Sequence, residues 1–181
     1  APTNTINGSA AADNLTTVQA SVAKGLGGND TINLTQGTDW AFGSDGDESI
    51  RLVQTAGAGS QYVKGQDGND TISVGTAAVL ASLAATIKGG AGSDFIQIAT
   101  AGPAVTNTVG ANFNGGSDND TIELGLAAGA VIGSTYKGGD DNDSIRIVSG
   151  ASTYATTVIQ GGTSSVTAMK GSTEEEQFHA A

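Results

Sequence analysis

Cysteine is absent from the 181-residue chain, so neither a disulfide nor a thiolate metal site is open to it. Aromatic residues make up 4%, with one Trp, three Tyr and four Phe, too few to fill the thick core of a globule of this length. Cations are scarce as well: seven Lys and Arg against eighteen Asp and Glu give a net charge of −11, without the basic footprint that nucleic-acid binding requires. No apolar run is long enough for membrane insertion. His179 is the only histidine, and the abundant Ser and Thr lack a base, so no nucleophilic set can be assembled and no enzyme activity is expected. No signal peptide is visible in the opening Ala1-Pro2-Thr3-Asn4, which fits a mature form or a chain that has lost its initiator Met.

Glycine, in contrast, is plentiful at 28 residues, and it is periodic. The stretch Gly65-Gln66-Asp67-Gly68-Asn69-Asp70-Thr71-Ile72-Ser73-Val74 reads as a tight acidic loop running into a short strand. The same unit starts at Gly25, Gly43, Gly89, Gly115 and Gly138. A worn copy at Gly8 keeps Asp13 and Leu15, and another at Gly161 has no carboxylate in its loop. Successive starts are 17, 18, 22, 24, 26, 23 and 23 residues apart, a period that marks a solenoid. Such a fold needs only a thin core, because each coil buries its apolar strip against its neighbours.

Aligned on the leading glycine, the eighth position is Ile32, Ile50, Ile72, Ile96, Ile122 and Ile145, and the tenth is Leu34, Leu52, Val74, Ile98, Leu124 and Ile147. Period-two alternation turns both columns inward and the polar seventh and ninth positions outward. A second strand precedes each loop, carrying Val63, Ile87, Phe113, Tyr136 and Ile159 two residues ahead of the glycine. The expected fold is all-β, a right-handed parallel β-solenoid of about seven coils with two strands each, spanning residues 1–171 as one domain. Residues 172–181 form an acidic C-terminal tail in which Ser172 and Glu175 fit a capping box.

Within this frame Thr17 to Lys24 is expected as the strand before the first good loop. The stretch from Gly75 to Ala85 is read as a brief helix, and the longer turns after it, including the one with Pro103, fall on one side of the stack where partner contacts are common. Trp40, Phe42 and Tyr62 have two readings, an aromatic face for a glycan or filling at an end of the core.

The sixth position is Asp30, Glu48, Asp70, Asp94, Asp120 and Asp143, and Asp45, Asp47, Asp67, Asp118, Asp140 and Asp141 crowd the loop positions before it. Coils stack at ~4.8 Å. Unit charges at that spacing repel by roughly 0.9 kcal/mol in water and about 3.5 kcal/mol at an effective dielectric of 20. Lys24, Lys64, Lys88 and Lys137, each directly before a leading glycine, are expected to offset part of this column. They are too few for all of it. A hard divalent cation that takes carboxylate and carbonyl oxygens, Ca²⁺, suits the remainder. The competing reading is a metal-free solenoid whose Asp and Asn side chains only cap turns.

Gly89-Gly90-Ala91-Gly92-Ser93-Asp94-Phe95-Ile96-Gln97 matches every defined position of the nonapeptide G-G-x-G-x-D-x-U-x, and on these residues the chain resembles the RTX calcium-binding family. The resemblance implies a parallel β-roll with Ca²⁺ held between successive turns by the twelve carboxylates named above. The chain departs from the family pattern in having one acidic loop per coil and a longer, neutral opposite turn. The function expected from all this is a Ca²⁺-stiffened structural module of an extracellular or surface assembly, a fibre, surface layer or adhesin. Self-association or neighbouring structural subunits are the expected partners. A virion decoration or tail-fibre module and a non-catalytic module of a secreted enzyme are the alternatives.

Overall fold

Alternating apolar residues separated by glycine-rich turns leave the chain little choice but stacked strands, and the computed structural model shows them. It describes residues 1–54, 60–76, 82–99, 108–126, 131–149, 153–154, 158–161 and 169–170. Among these residues every element is a strand. Numbered in chain order, the first sheet runs β1 (Asn4–Asn7), β3 (Ser21–Gly27), β5 (Trp40–Asp45), β7 (Tyr62–Asp67), β10 (Thr86–Ala91), β13 (Asn112–Ser117), β16 (Thr135–Gly139), β19 (Val158–Gln160). The second runs β2 (Asn14–Thr16), β4 (Thr31–Leu34), β6 (Ser49–Gln54), β8 (Thr71–Thr76), β11 (Phe95–Ala99), β14 (Thr121–Leu126), β17 (Ser144–Ser149), β20 (Met169–Lys170). Neighbours pair in parallel throughout, so each coil lays one strand on each sheet and the fold is a parallel β-solenoid.

The stacking register is the one the repeat predicts. Ile32, Ile50, Ile72, Ile96, Ile122 and Ile145 lie opposite one another along the second sheet, each at most 2% exposed. On the first sheet the facing column is Ala23, Ala41, Val63, Ile87, Phe113 and Tyr136, all fully buried. Its side chains grow along the axis as the coils lengthen, since a longer perimeter leaves more interior to fill at close-packed density. Phe113 and Tyr136 stack flat, with ring centroids 5.1 Å apart and an interplanar angle of 4°.

The expected count of about seven coils holds to within one: among the described residues each long sheet has eight strands, the worn copies at both ends pairing as well. Several other expectations are corrected. Four of the later coils carry a third strand, β9 (Ser82–Leu83), β12 (Thr108–Val109), β15 (Val131–Ile132) and β18 (Thr153–Tyr154), stacked as a third parallel sheet along the side of the long turns. No helix forms at the described ends of 75–85: Gly75 and Thr76 finish β8, and Ser82 opens the first strand of that third sheet. Residues 77–81, the Pro103 turn and the tail 172–181 lie outside the described residues. The strand expected from Thr17 begins instead at Ser21, because Thr17 is buried and its hydroxyl hydrogen-bonds to Asp39 in the neighbouring turn. The strands of the first sheet also run past the leading glycine. Between β7 and β8 only Gly68, Asn69 and Asp70 make the turn.

Candidate metal centre

The geometry of the acidic side starts from the backbone. The second loop position has positive φ in every good copy: Leu26 (85°), Ser44 (101°), Gln66 (102°), Gly90 (148°), Gly116 (138°) and Gly139 (129°). So does the fourth: Gly28 (85°), Gly46 (132°), Gly68 (129°), Gly92 (113°), Asp118 (75°) and Asp141 (73°). This is why glycine fills half of the second column and most of the fourth, and why the exceptions at the fourth are Asp, which tolerates the left-handed region. The double reversal swings the sixth residue back toward the interior.

Each sixth-position acid is therefore buried. Asp30, Glu48, Asp70, Asp94, Asp120 and Asp143 are 1–4% exposed. One carboxylate oxygen of each Asp accepts the backbone N–H of the sixth-position residue one coil earlier. The donors Asp13, Glu48, Asp70, Asp94 and Asp120 reach Asp30, Asp70, Asp94, Asp120 and Asp143 at 2.8, 2.9, 2.8, 2.8 and 3.0 Å. The other oxygen of each, and both of Glu48, is buried without a hydrogen-bond partner. It lies against the leading glycine of its own loop: a Cβ placed on Gly65 would sit 1.8 Å from Asp70 Oδ2, and one on Gly89 2.0 Å from Asp94 Oδ2. The carbonyl oxygen of the next coil's leading glycine faces the same spot, 2.9 Å from that Cβ position for Gly89 and 2.6 Å for Gly115. A carboxylate and a carbonyl oxygen thus converge in the rungs led by Gly25, Gly43, Gly65, Gly89 and Gly115.

An orphaned buried carboxylate oxygen carries a full desolvation cost. Burial first, with the charge of Asp70 second, pushes the Glu48 carboxyl up to about 8. Burial likewise raises Asp70 to about 6, Asp94 to about 7 and Asp120 to about 7. These four carboxyls favour the protonated form when nothing else neutralises them, and a hard cation would supply the same positive charge to the same oxygens. Ca²⁺ fits the donor set in kind, since it accepts mixed carboxylate and carbonyl oxygens. Asp30, Glu48, Asp70, Asp94, Asp120 and Asp143, with the leading-glycine carbonyls, are the residues that would hold it. Among the described residues no three acidic side chains converge on one point, so backbone oxygens must complete any site.

The remaining six predicted acids are all exposed. Asp45 and Asp67 stand opposite each other on β5 and β7. Asp47 accepts the Asn69 N–H at 2.8 Å, in an outer ladder where Asn29, Asn69 and Asn119 accept from Asp47, Ser93 and Asn142 at 3.1, 2.8 and 3.1 Å. Asp118 accepts the Gly92 N–H at 3.2 Å. Asp140 and Asp141 lie at the tip of their loop. The four lysines do not offset the buried column: they stand on the outer face of the first sheet, and none pairs with it. Their alternation with the inward Val63 and Ile87 dictates that orientation.

Sequence reasoning missed the opposite corner. Asp39 is fully buried in a turn read as neutral, accepting the Ser21 N–H at 2.9 Å, the Gln36 N–H at 2.8 Å and the Thr17 hydroxyl at 2.5 Å. It occurs in one coil only, so no periodic signal marks it. Its oxygens are satisfied, which separates a structural acid from the orphaned column.

A parallel β-solenoid with a stacked column of acidic turns is the class that fold and site define. Residues 24–51, 55–76 and 84–97 match the RTX calcium-binding nonapeptide repeat, in four copies. The matched segments fall between residues 24 and 97. The copies at Gly115 and Gly138 lie beyond the matched residues and repeat the same geometry. No curated protein and no solved structure matches the chain significantly.

Proposed function

We propose that the chain is a non-catalytic, Ca²⁺-stiffened structural module of an extracellular or surface assembly, such as a fibre, surface layer or adhesin. The observation that carries this reading is the unbroken register of orphaned carboxylate oxygens through six coils. A cation binding only the folded stack ties each coil to the next and converts mutual repulsion into cohesion. The surroundings of a cell hold far more free Ca²⁺ than its interior, so such a module stiffens after export. Among the described residues no helix is long and apolar enough to cross a membrane. Limited proteolysis tests the reading. Millimolar Ca²⁺ is expected to slow cleavage between residues 25 and 143, and cleavage at equal rates with Ca²⁺ and with chelator would contradict it.

A further inference from the structure

Trp40, Phe42 and Tyr62 do not fill an end of the core. They stand half-buried on the outer face of the first sheet. Trp40 and Tyr62 are opposite each other on neighbouring strands, while Lys24, Phe42, Lys64 and Lys88 form the adjacent column two residues further along. The rings are tilted, with centroids 6.0 Å apart at 56° for Trp40–Tyr62 and 5.8 Å at 44° for Phe42–Tyr62. Beside them lies an open depression of about 440 Å³ lined by Lys24, Trp40, Phe42 and Gln66. A second, of about 330 Å³, is lined by Lys64, Lys88 and Gln66. Gln66 borders both, so the two adjoin along the solenoid axis as one groove, with Trp40, Phe42 and Lys24 at one end and Lys64, Lys88 and the exposed Asp67 at the other.

The charges on this face are unanswered. Lys64 and Lys88 face each other across paired strands, a like-charge contact that costs stability. Among the described residues Lys24, Lys64 and Lys88 form no ion pair, although the chain holds only seven cations against eighteen acids. Three of those seven cations and two of the eight aromatic residues, Trp40 and Phe42, line the groove, with the Tyr62 ring packed against both. An occupant that satisfies both halves must bring apolar faces for the rings and anions for the lysines.

We propose that this groove binds an anionic polysaccharide, laid along the solenoid axis with pyranose C–H faces on Trp40, Phe42 and Tyr62 and acidic substituents on Lys24, Lys64 and Lys88. A neutral glycan leaves the lysines unanswered. The acidic turn of a second copy brings carboxylates but nothing apolar to cover the rings. A nucleic acid brings a phosphate at every step, which three lysines on a chain of net charge −11 do not match. Asp67 borders the groove, outnumbered there by Lys24, Lys64 and Lys88; the chain's other acids sit mainly on the turns, and screening over ~8 Å at physiological ionic strength limits their reach. The inference goes beyond the structural role, since it concerns the outer face and not the acidic turns.

Affinity electrophoresis of the whole chain in calcium-containing buffer tests it. The probes are carboxymethyl cellulose, hydroxyethyl cellulose as its neutral counterpart, and oligothymidylate. Emission from Trp40, the only Trp, is read in parallel. Carboxymethyl cellulose is expected to retard the protein and shift that emission, with much weaker effects from the other two probes. Trp40→Ala and the pair Lys64→Gln/Lys88→Gln are each expected to weaken retardation about tenfold or more, and only the lysine pair to flatten its salt dependence. Outward side chains are replaced, and circular dichroism melting confirms folding. The proposal is overturned by absence of retardation, by equal retardation in hydroxyethyl cellulose or oligothymidylate, or by retardation insensitive to these variants, which is the signature of Ca²⁺ bridging at the acidic turns. A concentration-dependent Trp40 shift without polymer would assign the groove to a second copy and overturn it too.

Discussion

At the scale of single residues, the leading glycine and the sixth-position acid form one device. Ala at Gly65 would place its Cβ 1.8 Å from Asp70 Oδ2 and 2.9 Å from the Gly89 carbonyl oxygen. Gly65→Ala is expected to cost ~1–3 kcal/mol or more, as overpacking does. Much of that cost is expected to vanish in an Asp70→Ala background, where the nearer clash is gone; a double-mutant cycle by urea unfolding measures the coupling. The second loop position offers a gain. Leu26 holds a φ of 85° and is half exposed, so Leu26→Gly is expected to relieve ~1–2 kcal/mol of backbone strain, less ~0.4–1 kcal/mol of added unfolded-state entropy. A higher urea midpoint checks it. The sequence displayed both glycine columns and the acid column, because each recurs. It did not display that the acids turn inward, since a carboxylate beside polar neighbours reads as solvated and only the paired positive-φ reversals bury it.

At the scale of the element, the period-two pattern was legible because one face is fully buried. Ile72 stacks between Ile50 and Ile96 and is completely buried. Ile72→Ala is expected to cost ~2–5 kcal/mol, with hydrogen exchange rising in the flanking coils as well, since each coil rests on its neighbours. Unchanged melting would contradict the inward register. The third sheet was illegible for the opposite reason: strands of two residues set among Ala and Gly carry no usable period. Asp39 was illegible because it appears once, yet Asp39→Ala is expected to destabilise by more than ~1 kcal/mol. It strands the buried Ser21 N–H at the start of β3 and removes the acceptor of the Gln36 N–H, and thermal melting of the variant reads this directly.

At the scale of the whole molecule, the column sets how stability answers to pH and metal. Glu48, Asp70, Asp94 and Asp120 carry carboxyls raised to between about 6 and 8 in the metal-free fold. A raised carboxyl pKa means that the folded state binds the extra proton. The associated stability is complete below about pH 4, the unfolded value, and is lost as pH rises through 6 to 8. Metal-free protein is therefore expected to melt lower at pH 8 than at pH 5. Added Ca²⁺ competes with those protons, so its stabilisation is expected to grow over the same interval. Asp94→Asn separates the two effects. It keeps an oxygen for the Asp70 N–H but removes the buried charge, so at pH 8 it is expected to raise the melting temperature in chelator and to reduce the gain from Ca²⁺.

The claim that the acidic column is a cation site is tested most directly by thermal unfolding of the wild-type chain at pH 8, in millimolar Ca²⁺ and in chelator. A site a hundredfold above its Kd contributes ~2.7 kcal/mol, about 5–11 °C for a chain of this size, and several rungs contribute together. The account predicts a Ca²⁺ curve displaced upward by at least that amount. Superimposable curves would contradict it, leaving only the metal-free solenoid.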